Sequence, residues 1–260
     1  MIPVAAKVDP FKTKILKDRF SAYSDQYAKY RPAYPSELFD YLNALVPRKQ
    51  AAWDCGTGNG QVAYTLAKTF EKVFATDISS AQIGNALQAD NILYSVQPAE
   101  KTDFGEGLFD LVVVAQAIHW FDFERFYSEV RRTSREGAWI CVTGYSRIEI
   151  SEQIDEIITD FYQHVIGAYW DEARKYIDAR YKTIPFPFRE IQAPEYTHRL
   201  SWTFEHLIGY LNTWSAVKQF IQHRGYNPVE ALQREIEPHW GGESARDVQF
   251  PLLLRVGQVT

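Results

Sequence analysis

The 260-residue sequence predicts an α/β fold: a doubly wound, mostly parallel sheet of seven strands carrying a helical, aromatic-rich insertion. Three observations carry that prediction. Up to about residue 145, apolar runs of strand length alternate with segments whose apolar residues recur every three or four positions, the pattern of strand–helix–strand units. The run Leu111-Val112-Val113-Val114-Ala115 is apolar throughout, which suits a central parallel strand covered by helices on both faces. A glycine-rich stretch lies between the first strand and the next helix, where sheets of this kind bind ligands.

The elements follow in order. Residues 1–35 form an opening segment rich in Lys, Tyr and Pro. Ser36 is a candidate N-cap for a helix through Leu45 that Pro47 stops. Ala51 to Cys55 is the first strand, and Gln61 to Phe70 returns to helical spacing through Val62, Leu66 and Phe70. Val73 to Asp77 is the second strand; Ser79 or Ser80 caps a helix running to about Gln88. Ile92 to Val96 and Leu111 to Ala115 are the third and fourth strands, Phe123 to Thr133 a helix, and Ala138 to Val142 the fifth strand. The alternation then fails. Residues 150–182 read as helical, Pro185 and Pro187 mark a loop, Tyr196 to Trp202 suits a strand, 204–236 read as helical, and Gln249 to Val256 is the last strand.

Composition narrows the function. Hydrophobic residues make up 46% and charged residues 23%, an ordinary globular balance. The 16 Tyr, 16 Phe and 7 Trp suit an aromatic core or an aromatic-lined cavity. A net charge of −5 and the lack of a long basic run argue against nucleic acid as the main partner. Cys55 and Cys141 both fall in strand-like runs, as expected of reduced core thiols in a cytoplasmic protein. The first 20 residues carry Lys7, Lys12, Lys14, Lys17 and Arg19, so no secretory signal or membrane span is expected. The histidines lack metal-ligand spacing and no Gly-x-Ser-x-Gly elbow occurs, against a zinc or iron site and a serine hydrolase.

The glycine stretch reads Asp54-Cys55-Gly56-Thr57-Gly58-Asn59-Gly60. Glycines let the backbone turn tightly and approach a ligand closely. A dinucleotide fingerprint is Gly-x-Gly-x-x-Gly; here the spacing is Gly-x-Gly-x-Gly, two residues after an acid that would repel a pyrophosphate. That acid suits a ligand bearing a sulfonium or ammonium group. Asp77 ends the second strand, 17 residues beyond Gly60. A carboxylate there can accept hydrogen bonds from both hydroxyls of a ribose, or it caps the next helix.

Four segments together resemble class I methyltransferases of the type 11 group, related to trans-aconitate and ubiquinone/menaquinone biosynthesis methyltransferases. They are Tyr23–Pro35 (YSDQYAKYRPAYP), the glycine loop, Asp77-Ile78-Ser79, and Phe109–Gly137 with its Ala-x-His-Trp-Phe stretch. The resemblance implies a Rossmann-like core at 36–145 binding S-adenosyl-L-methionine, with S-adenosyl-L-homocysteine as product. Residues 1–35 would cover the cofactor, 146–247 would form a lid over the acceptor, and 248–260 would supply the last strand. Asp54, Gly56 and Gly58 would line the methionine half, with Gln116 facing it. Asp77 would hold the ribose and Ile78 would pack on the adenine. Ala99 and Glu100 would sit at the adenine edge, although Pro98 stands where many relatives carry Ser or Asp. Tyr27 and Arg31 would meet the cofactor carboxylate; Arg31 equally suits a salt bridge locking the opening segment.

Methyl transfer needs a nucleophile aligned with the sulfonium methyl and water kept out. A carboxylate acceptor is already ionised at pH 7, whereas a hydroxyl or amine benefits from a base. His119 is the candidate base or hydrogen-bond donor, or else it orders its own loop; Trp120, the second catalytic-site candidate, packs as a wall or contacts the acceptor directly. Interleaved arginines at 174, 180, 199 and 224 favour an anionic acceptor. The expected protein is thus a methyltransferase for a small molecule, as monomer or homodimer. A non-catalytic cofactor-binding protein of the same fold is the alternative.

Overall fold

The computed structural model describes residues 29–260, so Tyr27 lies outside the described residues. Helix α1 (Ser36–Leu45) leads to β1 (Ala51–Cys55), α2 (Gln61–Leu66), β2 (Lys72–Asp77), α3 (Ser80–Gly84), β3 (Ile92–Val96), β4 (Phe109–Ala115), α4 (Phe123–Thr133) and β5 (Ser134–Tyr145). Ser36 is not the cap of α1. Pro35, with φ −66° and ψ 148°, takes the extended conformation before the helix, and the Ser36 hydroxyl donates to Glu37 instead. Asp122 caps α4 by accepting the Arg125 N–H, and Ser79 caps α3 by accepting the Gln82 N–H.

Strands β1 to β5 are parallel in the order β3-β2-β1-β4-β5. Their carboxyl ends meet at one edge: Cys55 pairs with Thr76, Asp77 with Val96, and Ala115 with Thr143. Alternate residues of β4 face opposite sides, as a period of two demands. Leu111 and Val113 join one apolar cluster with Leu42, Leu66 and Val73; Val112 and Val114 join another with Trp53, Phe126 and Ile140. Trp53 is fully buried, stacks on Phe109 and donates its indole N–H to the Thr76 hydroxyl at 2.9 Å.

Beyond β5 come α5 (Glu152–Asp160), a π turn at Phe161–Val165, α6 (Arg174–Asp178), β6 (Arg189–Ile191), β7 (Thr197–Trp202), α7 (Phe204–Asn212), α8 (Ser215–Arg224), α9 (Val229–Trp240) and β8 (Arg246–Gln258). The long helix suggested by 150–182 is thus broken into short pieces. Strand β8 runs antiparallel between β5 and β6, completing a seven-strand path, and its first half pairs with an eighth strand, β7. Ile154, Tyr162, Trp202 and Trp214 share the cluster that holds Leu111 and Val113, so residues 146–247 pack directly on the sheet. Both cysteines are buried and free. No helix among the described residues is long and apolar enough to cross a membrane.

Candidate active site

A cavity opens at the carboxyl edge of β1, β2, β4 and β5. Its walls include Arg31, Asp54, Gly56, Gly58, Asp77, Ile78, Ala99, Glu100, Gln116 and Trp120. Every expected site residue among those described is brought together there except His119.

The glycine loop is shaped by β1 and α2. Gly56, Gly58 and Gly60 have φ of 72°, 55° and 79°, conformations that side chains rarely adopt. A Cβ on Gly56 would lie 2.6 Å from the Ala117 Cβ, and one on Gly60 would strike the Tyr94 hydroxyl. A Cβ on Gly58 would meet nothing within 4 Å; here the backbone itself faces the cavity.

Asp54 is fully buried. Its Oδ2 accepts the Thr57 hydroxyl and the Ala63 N–H, the latter at 2.9 Å, while its Oδ1 has no partner. Burial pushes its pKa up to about 7. Asp77 accepts the Gly58 N–H at 2.9 Å on Oδ2 and the Ser79 N–H at 2.8 Å on Oδ1. It therefore ties the glycine loop to β2, whereas the cap of α3 is Ser79. Each oxygen retains a further lone pair for a ligand hydroxyl. Burial raises its pKa, opposed by these backbone N–H groups. Glu100 Oε1 accepts the Asp122 N–H at 3.0 Å, pinning the loop beyond Trp120.

Gln116 leaves β4 in the left-handed region, φ 56°. Its N–H donates to Thr143 O and its Oε1 accepts the Tyr145 N–H. Tyr145 stacks on Tyr34 and donates its hydroxyl to Pro32 O at 2.7 Å, holding the segment before α1 over the cavity. Arg31 lies at the same rim. Its Nε donates to the Thr213 hydroxyl at 3.0 Å and its guanidinium sits 5.2 Å from the Tyr210 ring centre, which joins this segment to the region between α7 and α8.

His119, expected as a base or hydrogen-bond donor or as a residue that orders its loop, is not among the residues that line the cavity. It is buried, with Nδ1 sharing a 3.3 Å hydrogen bond with the Tyr181 hydroxyl. Burial, aided by the Arg174 charge, drives its pKa down to about 3, so the imidazole is neutral at pH 7. Trp120, beside it at 4.9 Å between ring centres, does line the cavity. Tyr34, Gln97, Phe121 and Tyr145 also line it without having been singled out. Their signal was positional: Gln97 follows β3, Phe121 closes the turn after β4 and Tyr145 ends β5, so all three stand at the carboxyl ends of strands.

The buried Asp54 oxygen without a partner, the open space at Gly58 and the Asp77 carboxylate fit a nucleoside ligand with a cationic tail. Fold and site thus define a nucleoside-cofactor protein of the doubly wound α/β class. A family model described as a methyltransferase domain, type 11, matches residues 53–142. A Dictyostelium discoideum protein named as a methyltransferase is 32% identical, the match covering 97% of this chain and 96% of that one. A solved structure described as a type II methyltransferase from Anaeromyxobacter dehalogenans is 35% identical with a TM-score of 0.82, covering 88% of this chain and 98% of its own. A Saccharomyces cerevisiae protein named as an S-adenosylmethionine-dependent methyltransferase is 25% identical over 66% of this chain and 61% of its own. The chain belongs to the type 11 group of class I S-adenosylmethionine-dependent methyltransferases.

Proposed function

We propose that this methyltransferase acts on a small anionic molecule, transferring a methyl group to a carboxylate oxygen. Asp54, Gly56, Gly58, Gln116 and Arg31 are assigned to the methionine half of the cofactor, and Asp77, Ile78, Ala99 and Glu100 to its nucleoside half. The bound cofactor supplies an electrophilic methyl on a sulfonium. The protein's part is to align the acceptor with it and to exclude water. The region 146–247 takes the role of lid.

Arg174 carries the carboxylate reading. It stands at the start of α6, which packs on the Ile118–Trp120 turn. Its Nε donates to the Tyr162 hydroxyl at 2.8 Å, and its guanidinium lies 4.5 Å from the centre of the Trp170 ring. Its Nε also pairs with Asp178 Oδ1 at 3.7 Å, while its two terminal nitrogens, the ends of a fork suited to a carboxylate, make no hydrogen bond among the described residues. The neutral, enclosed His119 agrees with an acceptor that needs no deprotonation. A panel of small carboxylic acids, alcohols and amines, assayed with S-adenosylmethionine, tests the reading. Methylation is expected among the acids, with Arg174→Gln raising the acceptor KM by about tenfold or more, as loss of a charged hydrogen bond implies. Turnover of neutral amines with none of any acid would refute it.

A further inference from the structure

Only three non-glycine residues among those described have a positive φ: Gln116 at 56°, Arg180 at 53° and Tyr181 at 58°. Arg180 and Tyr181 are neighbours, far in sequence from Gln116, yet Gln116 and Tyr181 converge on one glycine. A Cβ on Gly144 would strike the Gln116 Oε1 and come within 2.9 Å of the Tyr181 hydroxyl. Backbone in sparsely populated regions persists only where its surroundings impose it, and such residues gather at functional sites. The constraints are visible here. Arg255, paired with Glu190 through two contacts of 2.8 and 2.7 Å, donates to Tyr181 O at 3.2 Å. The fully buried Tyr181 ring is stacked near His119, and its hydroxyl meets the imidazole Nδ1 at 3.3 Å.

We propose that Tyr181 is a positioning residue for methyl transfer: inserted from the 146–247 region beneath Gly144, it braces His119 and so sets the cavity wall made by Trp120 and Gln116. The inference rests on the reading that this wall takes the methionine half of the cofactor. Tyr181 touches neither substrate nor cofactor in this role. Its hydroxyl fixes the imidazole, and the imidazole fixes the adjacent indole. The strained pair Arg180-Tyr181 is the cost of reaching under Gly144, and the Arg255 clamp maintains it.

The test uses the full chain labelled with 5-fluorotryptophan. The resonance of Trp120, one of seven tryptophans, is identified by its loss in Trp120→Phe, and S-adenosylhomocysteine affinity is measured by calorimetry. In Tyr181→Phe, the ring is kept and the melting temperature should stay near wild type. The Trp120 resonance alone should shift or broaden, and the Kd should rise about tenfold if the wall is competent a tenth of the time. Gly144→Ala, which presses on Tyr181 and Gln116 from the other side, should move both readouts in the same direction. Wild-type positions for Trp120 and a Kd within about twofold of wild type in both variants would overturn the proposal while leaving the cofactor reading intact. A wild-type protein that does not bind S-adenosylhomocysteine would overturn both.

Discussion

Replacing Asp54 with asparagine should make the ligand-free protein more stable at pH 8 and a poorer cofactor binder. Asp54 is fully buried, and its pKa stands at about 7 against an ordinary 3.8. The fold therefore favours the protonated carboxyl. That contribution is fully present below pH 3.8 and is lost as pH rises through 7, because the unfolded chain ionises freely. A difference of about 3 pH units corresponds to about 4 kcal/mol. Asparagine does not ionise, so Asp54→Asn should gain up to about that amount at pH 8 and almost nothing near pH 4. Binding runs the other way. An ammonium beside Oδ1 requires the carboxylate, whose fraction rises from about one tenth at pH 6 to nine tenths at pH 8, so the wild-type Kd for S-adenosylhomocysteine should fall about tenfold over that interval. Urea unfolding at pH 5 and pH 8 and calorimetry at pH 6 and pH 8 measure both effects. A wild-type Kd that is flat with pH, or an asparagine variant with the same stability change at both pH values, would refute the argument.

Asp77→Asn should weaken S-adenosylhomocysteine binding by about 10- to 100-fold, the range for losing hydrogen bonds to a charged group, as read by calorimetry. Gly56→Ala combines a φ of 72° with a Cβ 2.6 Å from Ala117; its urea midpoint should drop by the equivalent of about 1–3 kcal/mol, and an unchanged midpoint would contradict the loop geometry. His119, held neutral with a pKa of about 3, favours the fold above pH 6.5 and loses that contribution as pH falls from there toward 3. His119→Gln should therefore flatten acid destabilisation in that window, and the wild-type pH–rate profile should show no limb from this imidazole near pH 6 to 7.

The sheet and the glycine loop were legible because their determinants are local. The apolar run at Leu111–Val114 announces a strand buried on both faces, and Gly56 to Gly60 with Asp77 follow directly from strand ends. Helix α4 also stands in a short stretch of sequence. The remaining features depend on residues brought together from a distance. Nothing near His119 in the sequence announces Tyr181, which reaches it from 62 positions away, so a base and a buried structural histidine look alike there. Arg31 bonds to Thr213 across 182 residues. The 150–182 stretch has helical spacing, yet a π turn and a lone short helix break it, because its aromatic residues pack on Arg174 and Trp214 rather than along one stripe. Strand β8 reads as eight residues of apolar pattern but spans Arg246–Gln258, since its first half is set by pairing with β7.

That double pairing of β8 has a consequence for how the protein is made. The strand follows residues 146–247 in the chain, yet it fills the gap between β5 and β6 and also anchors β7. During synthesis, β5 remains an open edge, with unpaired backbone groups along Trp139–Tyr145, until β8 has left the ribosome. An open apolar edge invites pairing with other chains. Completion of the sheet is therefore gated by β8, and the nascent chain depends most on protection from aggregation just before that strand arrives.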